Sequence, residues 1–203
     1  MGYTTDFTGQ WTVSPALTEP HRLYLTQFAE TRRMGRDEAK AELLPDPLRL
    51  AVGLPIGFEG AYYVGTAERI SSQAKDDSVI NGNNPPGSPD TAAFYAKRDV
   101  AGHNWYETYL TAKEKALDLG VAQPGLWCQW VPNEAGTAIV WDEGEKFYEY
   151  TAWIEYLIAH FLGPWGYRLD GEVYWQGEEN DDRGLIAIVD NEVKIRNAVI
   201  TYQ

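Results

Sequence analysis

The last third of the chain contains strand patterns with no helical pattern between them. Alternating apolar and polar residues predict strands over residues 171–176, 185–189 and 193 to about 200. Asp190 and Asn191 supply a tight turn between the last two. Because a parallel crossover needs about a dozen residues, these strands must pair antiparallel. Two further segments predict strands: residues 3–13, and a hairpin within residues 126–143 that turns at 133–136.

Helical patterns occur in two other parts of the chain. Thr18 is placed to cap a helix that has Pro20 in its first turn. A second helix is predicted over residues 145–162, capped by Asp142 and stopped by Gly163 and Pro164. Residues 48–64, with three glycines, favour two short strands or a glycine-bent hairpin. The fold class predicted is therefore α+β, a twisted antiparallel sheet with helices packed on one face, in a single domain spanning 1–203.

Strand parity assigns side chains to the two faces of this sheet. The face toward the helices is assigned the four large apolar residues Val173, Trp175, Ile186 and Ile188. The opposite face then presents Glu172, Tyr174 and Gln176, an amphipathic set suited to a ligand or a second subunit.

The helix predicted at 145–162 is apolar on two sides. Its main stripe has members three or four residues apart, namely Phe147, Tyr150, Ile154, Leu157 and Phe161. A second line runs through Glu149, Trp153, Tyr156 and His160. Such a helix is either sandwiched within its own fold or buried against another subunit, and we predict a homo-oligomer, most simply a twofold dimer.

Composition excludes several classes of protein. A net charge of -13 argues against duplex nucleic acid as a partner, since phosphate binding needs clustered Lys and Arg. The sequence contains no apolar run of about 18 residues, so no membrane association is predicted. With Cys128 as the single cysteine and no leader pattern at the N-terminus, we predict a cytoplasmic protein.

Motifs for catalysis and cofactor binding are missing. The three histidines have no metal-ligand spacing, and the glycines of GLPIGFEG match no phosphate-binding loop. The acidic stretch EENDDRG supplies Glu178, Asp181 and Asp182 as weak candidates for a metal site, but a solvated hairpin turn is favoured. We therefore predict a non-enzymatic protein without a cofactor.

One basic cluster remains in this acidic chain, formed by Arg32, Arg33 and Arg36. These residues either complement the negative end of the preceding helix or form a fork for an anionic ligand. Arginine beside aromatic rings is what a nucleotide pocket needs. The candidate stacking residues are Tyr62, Trp127, Trp130 and Tyr174.

The chain also resembles a family of small proteins from tailed phages and scattered bacteria. The motifs that carry the resemblance are GYTTDFTGQWTVSPAL, FAETRRM, VGLPIGFEGAYYVG, PGLWCQW followed by EKFY and PWGY, and LDGEVYWQGE. It covers most of the chain except residues 88–122, where an inserted helical segment is implied. The resemblance implies no particular activity.

A compact phage protein without catalytic motifs is similar in kind to proteins used against host defences. We therefore predict a non-enzymatic binding protein that sequesters a small nucleotide-like anionic immune signal, in the host cytoplasm if the protein is phage-encoded. The alternatives are an acidic protein–protein inhibitor of a host factor and, third, a metal-dependent hydrolase that uses the acidic stretch.

Overall fold

The computed structural model describes residues 2–31, 33, 38–65, 123–125 and 127–198. The chain separates into two compact units, of which unit 1 is Met1–Ala29 with Trp127–Gln203 and unit 2 is Glu30–Leu126. The insertion expected at 88–122 falls in unit 2 but lies outside the described residues, so it stays a prediction.

Unit 1 contains a six-stranded antiparallel sheet with the strand order β2-β3-β1-β4-β5-β6. The strands are β1 (Thr5–Ser14), β2 (Trp130–Pro132), β3 (Ala138–Trp141), β4 (Arg168–Gly177), β5 (Arg183–Val189) and β6 (Glu192–Asn197). Every pair of neighbours is antiparallel. The predicted antiparallel sheet and the α+β class are confirmed.

Strand register places large apolar side chains together on the core face of the sheet. Trp11 lies opposite Ile139, and Val173 lies opposite Ile186. Since directly opposed residues share a face, the apolar positions of the central strands point the same way. The side chains of Val173, Trp175, Ile186 and Ile188 are all buried, which confirms the predicted assignment of this face.

The first helix of unit 1, α1 (Glu19–Glu30), begins directly after Thr18 as predicted. The Arg22 amide donates to the Thr18 carbonyl at 2.9 Å, which closes the first turn. Its buried side chains include the predicted stripe of Tyr24, Leu25 and Phe28.

The predicted long helix begins at Tyr150 rather than at residue 145. Glu143, Lys146 and Glu149 all have positive φ, between 56° and 64°, which an α-helix does not allow. Asp142 does not cap the helix, because its carboxylate accepts the amide of Gly144 at 2.8 Å. The helix α4 (Tyr150–Leu157, numbered after the three described helices that precede it) continues as a π turn, Ile158–Leu162, and stops at the predicted Gly163.

Most residues of both apolar lines of this helix are buried by the chain itself, whereas Glu149 is exposed and His160 is half-buried. Trp153 is 0% exposed and Tyr156 is 5% exposed. Phe28 of α1 contacts both rings, with centroid separations of 6.1 and 6.2 Å. The second line therefore gives no reason to expect another subunit, and the homo-oligomer stays a prediction without this support.

Residues 48–64 of unit 2 do not form strands, so the hairpin interpretation is wrong. They contribute to α3 (Pro47–Ala51), which follows α2 (Glu38–Ala41), and to a 3-10 turn at Phe58–Gly60. Asp46 accepts the Arg49 amide and Pro47 stands at the first helical position, so the segment starts as a helix. Within the described ranges, the helices are all too short or too polar to cross a membrane.

Candidate ligand-binding site

The face of the sheet away from the core presents one large exposed ring. Tyr174 is 52% exposed at the middle of β4. Its neighbours across the sheet are Thr8 on β1 and Leu185 on β5, and Leu185 in turn lies opposite Arg196 on β6. A single row across four strands therefore places an aromatic ring and a guanidinium on the same side, separated by one apolar residue.

An open depression of about 470 Å³ lies along this row. Its lining includes Tyr174 and Leu185 at the centre, Arg183 and Arg196 on the β5 and β6 side, and Asp6 on the β1 side. The residues come from strands rather than loops, so their backbone positions are fixed by the hydrogen-bonded sheet.

The Tyr174 side chain is held by its neighbour two positions before it on the strand. The phenol donates to Oε2 of Glu172 at 2.9 Å. This hydrogen bond, with the nearby negative charge, raises the pKa of Tyr174, whereas the positive charge of Arg196 acts to lower it. The phenol is therefore protonated at physiological pH, and about half of the residue surface is exposed to solvent.

Arg183 and Arg196 differ from four other described cations, Arg49, Lys146, Arg168 and Lys194, which form ion pairs. Arg168 and Lys194 pair with Asp190 and Glu192, at 3.5 and 3.2 Å. Neither Arg183 nor Arg196 forms an ion pair with any residue that the structure describes.

One of these two arginines is fixed by a main-chain contact. Nε of Arg183 donates to the Asn180 carbonyl at 2.6 Å, and this contact leaves its terminal nitrogens available. Two guanidinium groups without a carboxylate partner among the described residues, in a chain of net charge -13, form a local positive site at the β5 and β6 side of the depression.

The arginines predicted from the sequence lie elsewhere. Arg33 is only 5% exposed, and its Nε and Nη1 donate to the carbonyls of Thr31 and Ala61 at 2.7 and 3.3 Å. Its guanidinium therefore binds backbone carbonyls within unit 2 and is not exposed to an anionic ligand. Arg32 and Arg36 lie outside the described residues.

The predicted stacking residues are distributed over both units. Trp130 is 1% exposed, sits edge-on to Trp11 at 4.7 Å and donates to the Tyr150 carbonyl, so it is a core residue with no face open to a ligand. Trp127 is partly exposed, and Tyr62 of unit 2 is half-buried, with its pKa raised by that burial. Tyr174 is the one predicted ligand residue that lines the described depression.

The acidic loop after β4 ties the end of the sheet to the start of the chain. Asp182 accepts the Tyr3 phenol at 2.6 Å through one oxygen and the Trp175 indole at 3.2 Å through the other. Glu178 accepts the Thr4 amide at 2.8 Å, while Asp181 is exposed. Across the described ranges, no group of three or more His, Cys, Asp or Glu side chains is placed to hold a metal ion. Two of the three weak metal candidates therefore make structural contacts.

A testable pH effect arises beside this loop. Partial burial, with the negative charge of Asp182, raises the pKa of Tyr150 to about 12 from an ordinary value of 10.0. Between these two values the unfolded chain loses the proton first, so the stability of the fold should decrease as the pH rises from about 10 to about 12. In denaturant titrations across this pH range, the free energy of unfolding should decrease more steeply for the wild type than for Tyr150→Phe. Equal slopes would mean that Tyr150 is not the group responsible.

The chain was also compared with known proteins. No protein-family model, no curated protein and no solved structure matches it significantly.

Proposed function

We propose that this protein binds, without chemically changing it, a small anionic ligand that carries a flat ring, such as a nucleotide. The site is the depression on the exposed face of the sheet. The observation that supports the proposal most directly is the placement of Tyr174 beside two arginines that have no carboxylate partner among the described residues.

The two parts of the site suit the two parts of such a ligand. A base stacked on an aromatic side chain contributes about 1–3 kcal/mol, and the exposed side chain of Tyr174 would make this contact. A guanidinium matches a phosphate or carboxylate with two parallel hydrogen bonds. Arg183 and Arg196 would hold the anionic group while Tyr174 carries the ring.

A binding role agrees with the lack of a catalytic arrangement in the motifs of the sequence. Together with the resemblance to phage proteins, it supports sequestration of a nucleotide-like immune signal, which would be released unchanged when the protein unfolds. The inhibitor of a host protein is the alternative that gains support if no small ligand binds.

Replacing Arg196 by Gln should weaken binding of a nucleoside monophosphate markedly. Removing one charge-assisted hydrogen bond costs about 1.5–3 kcal/mol, or roughly ten- to a hundredfold in Kd. Isothermal titration calorimetry with linear and cyclic nucleotides measures this directly. The ligand recovered after denaturation should have an unchanged mass.

Arg168→Gln is a matched control for this experiment. Arg168 lies on the same face at the other end of the sheet, pairs with Asp190 and does not line the depression. The Arg168→Gln variant removes one positive charge, as Arg196→Gln does, and should leave the Kd for nucleotides nearly unchanged. Equal losses in both variants would indicate a general charge effect, and no heat with any nucleotide would reject the proposal.

A further inference from the structure

The depression has an acidic side as well as a basic side. Asp6 lines it from β1, and the register places Asp6 opposite Gln176, which lies opposite Arg183. Arg196 is on β6, three strand spacings from β1, or about 14 Å at about 4.8 Å per spacing. Tyr174 on β4 stands between the two sides.

Asp6 is the carboxylate of this site that has capacity to bind a ligand. Glu172 lies on the same face but does not line the depression, and it already accepts the Tyr174 phenol. The Asp6 side chain is exposed and forms no hydrogen bond or ion pair with any residue that the structure describes. Its two oxygens can accept a pair of parallel N–H donors.

This charge arrangement sets the polarity of the ligand. An anionic group placed near Asp6 would be repelled, so the phosphate belongs on the side of Arg183 and Arg196. The end of the ligand that reaches Asp6 must then offer donors and carry no negative charge. The stacked ring between these two ends lies over Tyr174.

Among the common bases, guanine presents the matching edge. Its ring N–H and exocyclic amino group are adjacent, so a carboxylate can accept both. Adenine and cytosine place their amino group beside a ring acceptor, and uracil flanks its single N–H with two carbonyls. In each of these bases an acceptor would face the carboxylate. Reading a base by hydrogen bonds to this edge while an aromatic side chain stacks on it is an established mode of recognition.

We infer that Asp6 makes this site selective for guanine nucleotides, with the base edge on Asp6, the ring on Tyr174 and the phosphate on Arg183 and Arg196. The inference rests on the proposed function and specifies its ligand. It assigns a selectivity role to Asp6, whereas the arginines determine affinity for any nucleoside monophosphate.

The test compares GMP with AMP, which share the ribose phosphate and differ in the base. Calorimetry on the wild type should give a Kd for GMP that is lower than that for AMP by about tenfold or more, because a good bidentate contact discriminates by about 1–3 kcal/mol. Asp6→Asn keeps the size of the side chain but replaces one acceptor by a donor. This variant should raise the Kd for GMP by about tenfold and leave the Kd for AMP unchanged or slightly lower.

Glu192→Gln serves as the control, since it removes the same charge from the same face outside the depression. It should not alter the ratio of the two affinities. Equal affinity for GMP and AMP in the wild type, or an equal loss for both in Asp6→Asn, would overturn the guanine inference and leave the proposed function standing. If neither nucleotide binds, the guanine inference is rejected, and the proposed function is rejected with it if no other linear or cyclic nucleotide gives heat.

Discussion

Replacing Asp46 by Ala should destabilise unit 2 by about 3–5 kcal/mol, because it removes the one buried carboxylate that the structure shows paired with the buried Arg49 guanidinium. The Asp46 carboxylate is 1% exposed and accepts Nε of Arg49 at 2.9 Å, the Arg49 amide at 3.4 Å and the Val64 amide at 3.2 Å. Arg49 is 2% exposed and cannot recover its hydration without opening the fold. Hydrogen exchange of the α3 amides, followed with denaturant, would measure the loss.

The environment of the Asp46 carboxylate explains why Asp46→Ala should lower the free energy of unfolding so strongly. Burial raises the pKa of Asp46, whereas the Val64 amide and the Arg49 guanidinium act to lower it. The ion pair thus offsets the large free-energy cost of removing both charges from water. When Asp46 is removed, the desolvation cost of Arg49 is no longer offset by this pair.

Glu42→Ala tests whether the buried pair, rather than any partner of Arg49, is responsible. Glu42 lies 3.6 Å from the same guanidinium, but its side chain is 52% exposed. An exposed pair contributes about 0–1 kcal/mol, so this variant should be nearly neutral. Similar losses for Glu42→Ala and Asp46→Ala would contradict the assignment.

The second large effect is expected in unit 1, where Phe161→Ala should cost about 3–5 kcal/mol. Phe161 is fully buried in the π turn after α4, and its ring lies 5.0 Å from Phe28, 5.4 Å from Tyr24 and 5.5 Å from Trp165. Truncation leaves a cavity between aromatic rings that cannot rearrange easily, since each also packs on other rings. Denaturant unfolding followed by tryptophan fluorescence would detect the change.

Leu23→Ala is the comparison for this variant. Leu23 lies on α1 with its side chain 37% exposed, so the loss should be clearly smaller. A loss below about 1 kcal/mol for Phe161→Ala would mean that the aromatic cluster is not a tightly packed core.

The sequence predicted the sheet well because strand patterns repeat every two residues. Val173 and Trp175 were assigned to the core face from parity alone, and both are buried. The predicted start of α4 is wrong because the spacing of apolar residues does not reveal left-handed backbone, which occurs at Glu143, Lys146 and Glu149. The strand prediction for residues 48–64 is wrong because short apolar runs do not distinguish a strand from a helix.

The candidate site was predicted only in part. Tyr174 was identified from its strand face, but the positive charge was sought where arginines cluster along the chain, and Arg33 of that cluster is buried in unit 2. Arg196 could have been found from the turn at Asp190 and Asn191, because this register places it opposite Leu185. Asp6 required the pairing of β1 with β4, which short-range patterns do not give.

The position of β1 in the sheet has a consequence for biosynthesis. β1 ends at Ser14, whereas its partners β3 and β4 begin only at Ala138 and Arg168, so β1 leaves the ribosome well before either partner. Unit 2, Glu30–Leu126, is translated in the interval. At about 5–20 residues per second, β1 waits several seconds with both of its edges unpaired. Pairing over such long sequence separations also slows folding. The nascent chain is therefore most exposed to aggregation while unit 2 is being synthesised, and a chaperone that binds Phe7 and Trp11 would protect it then.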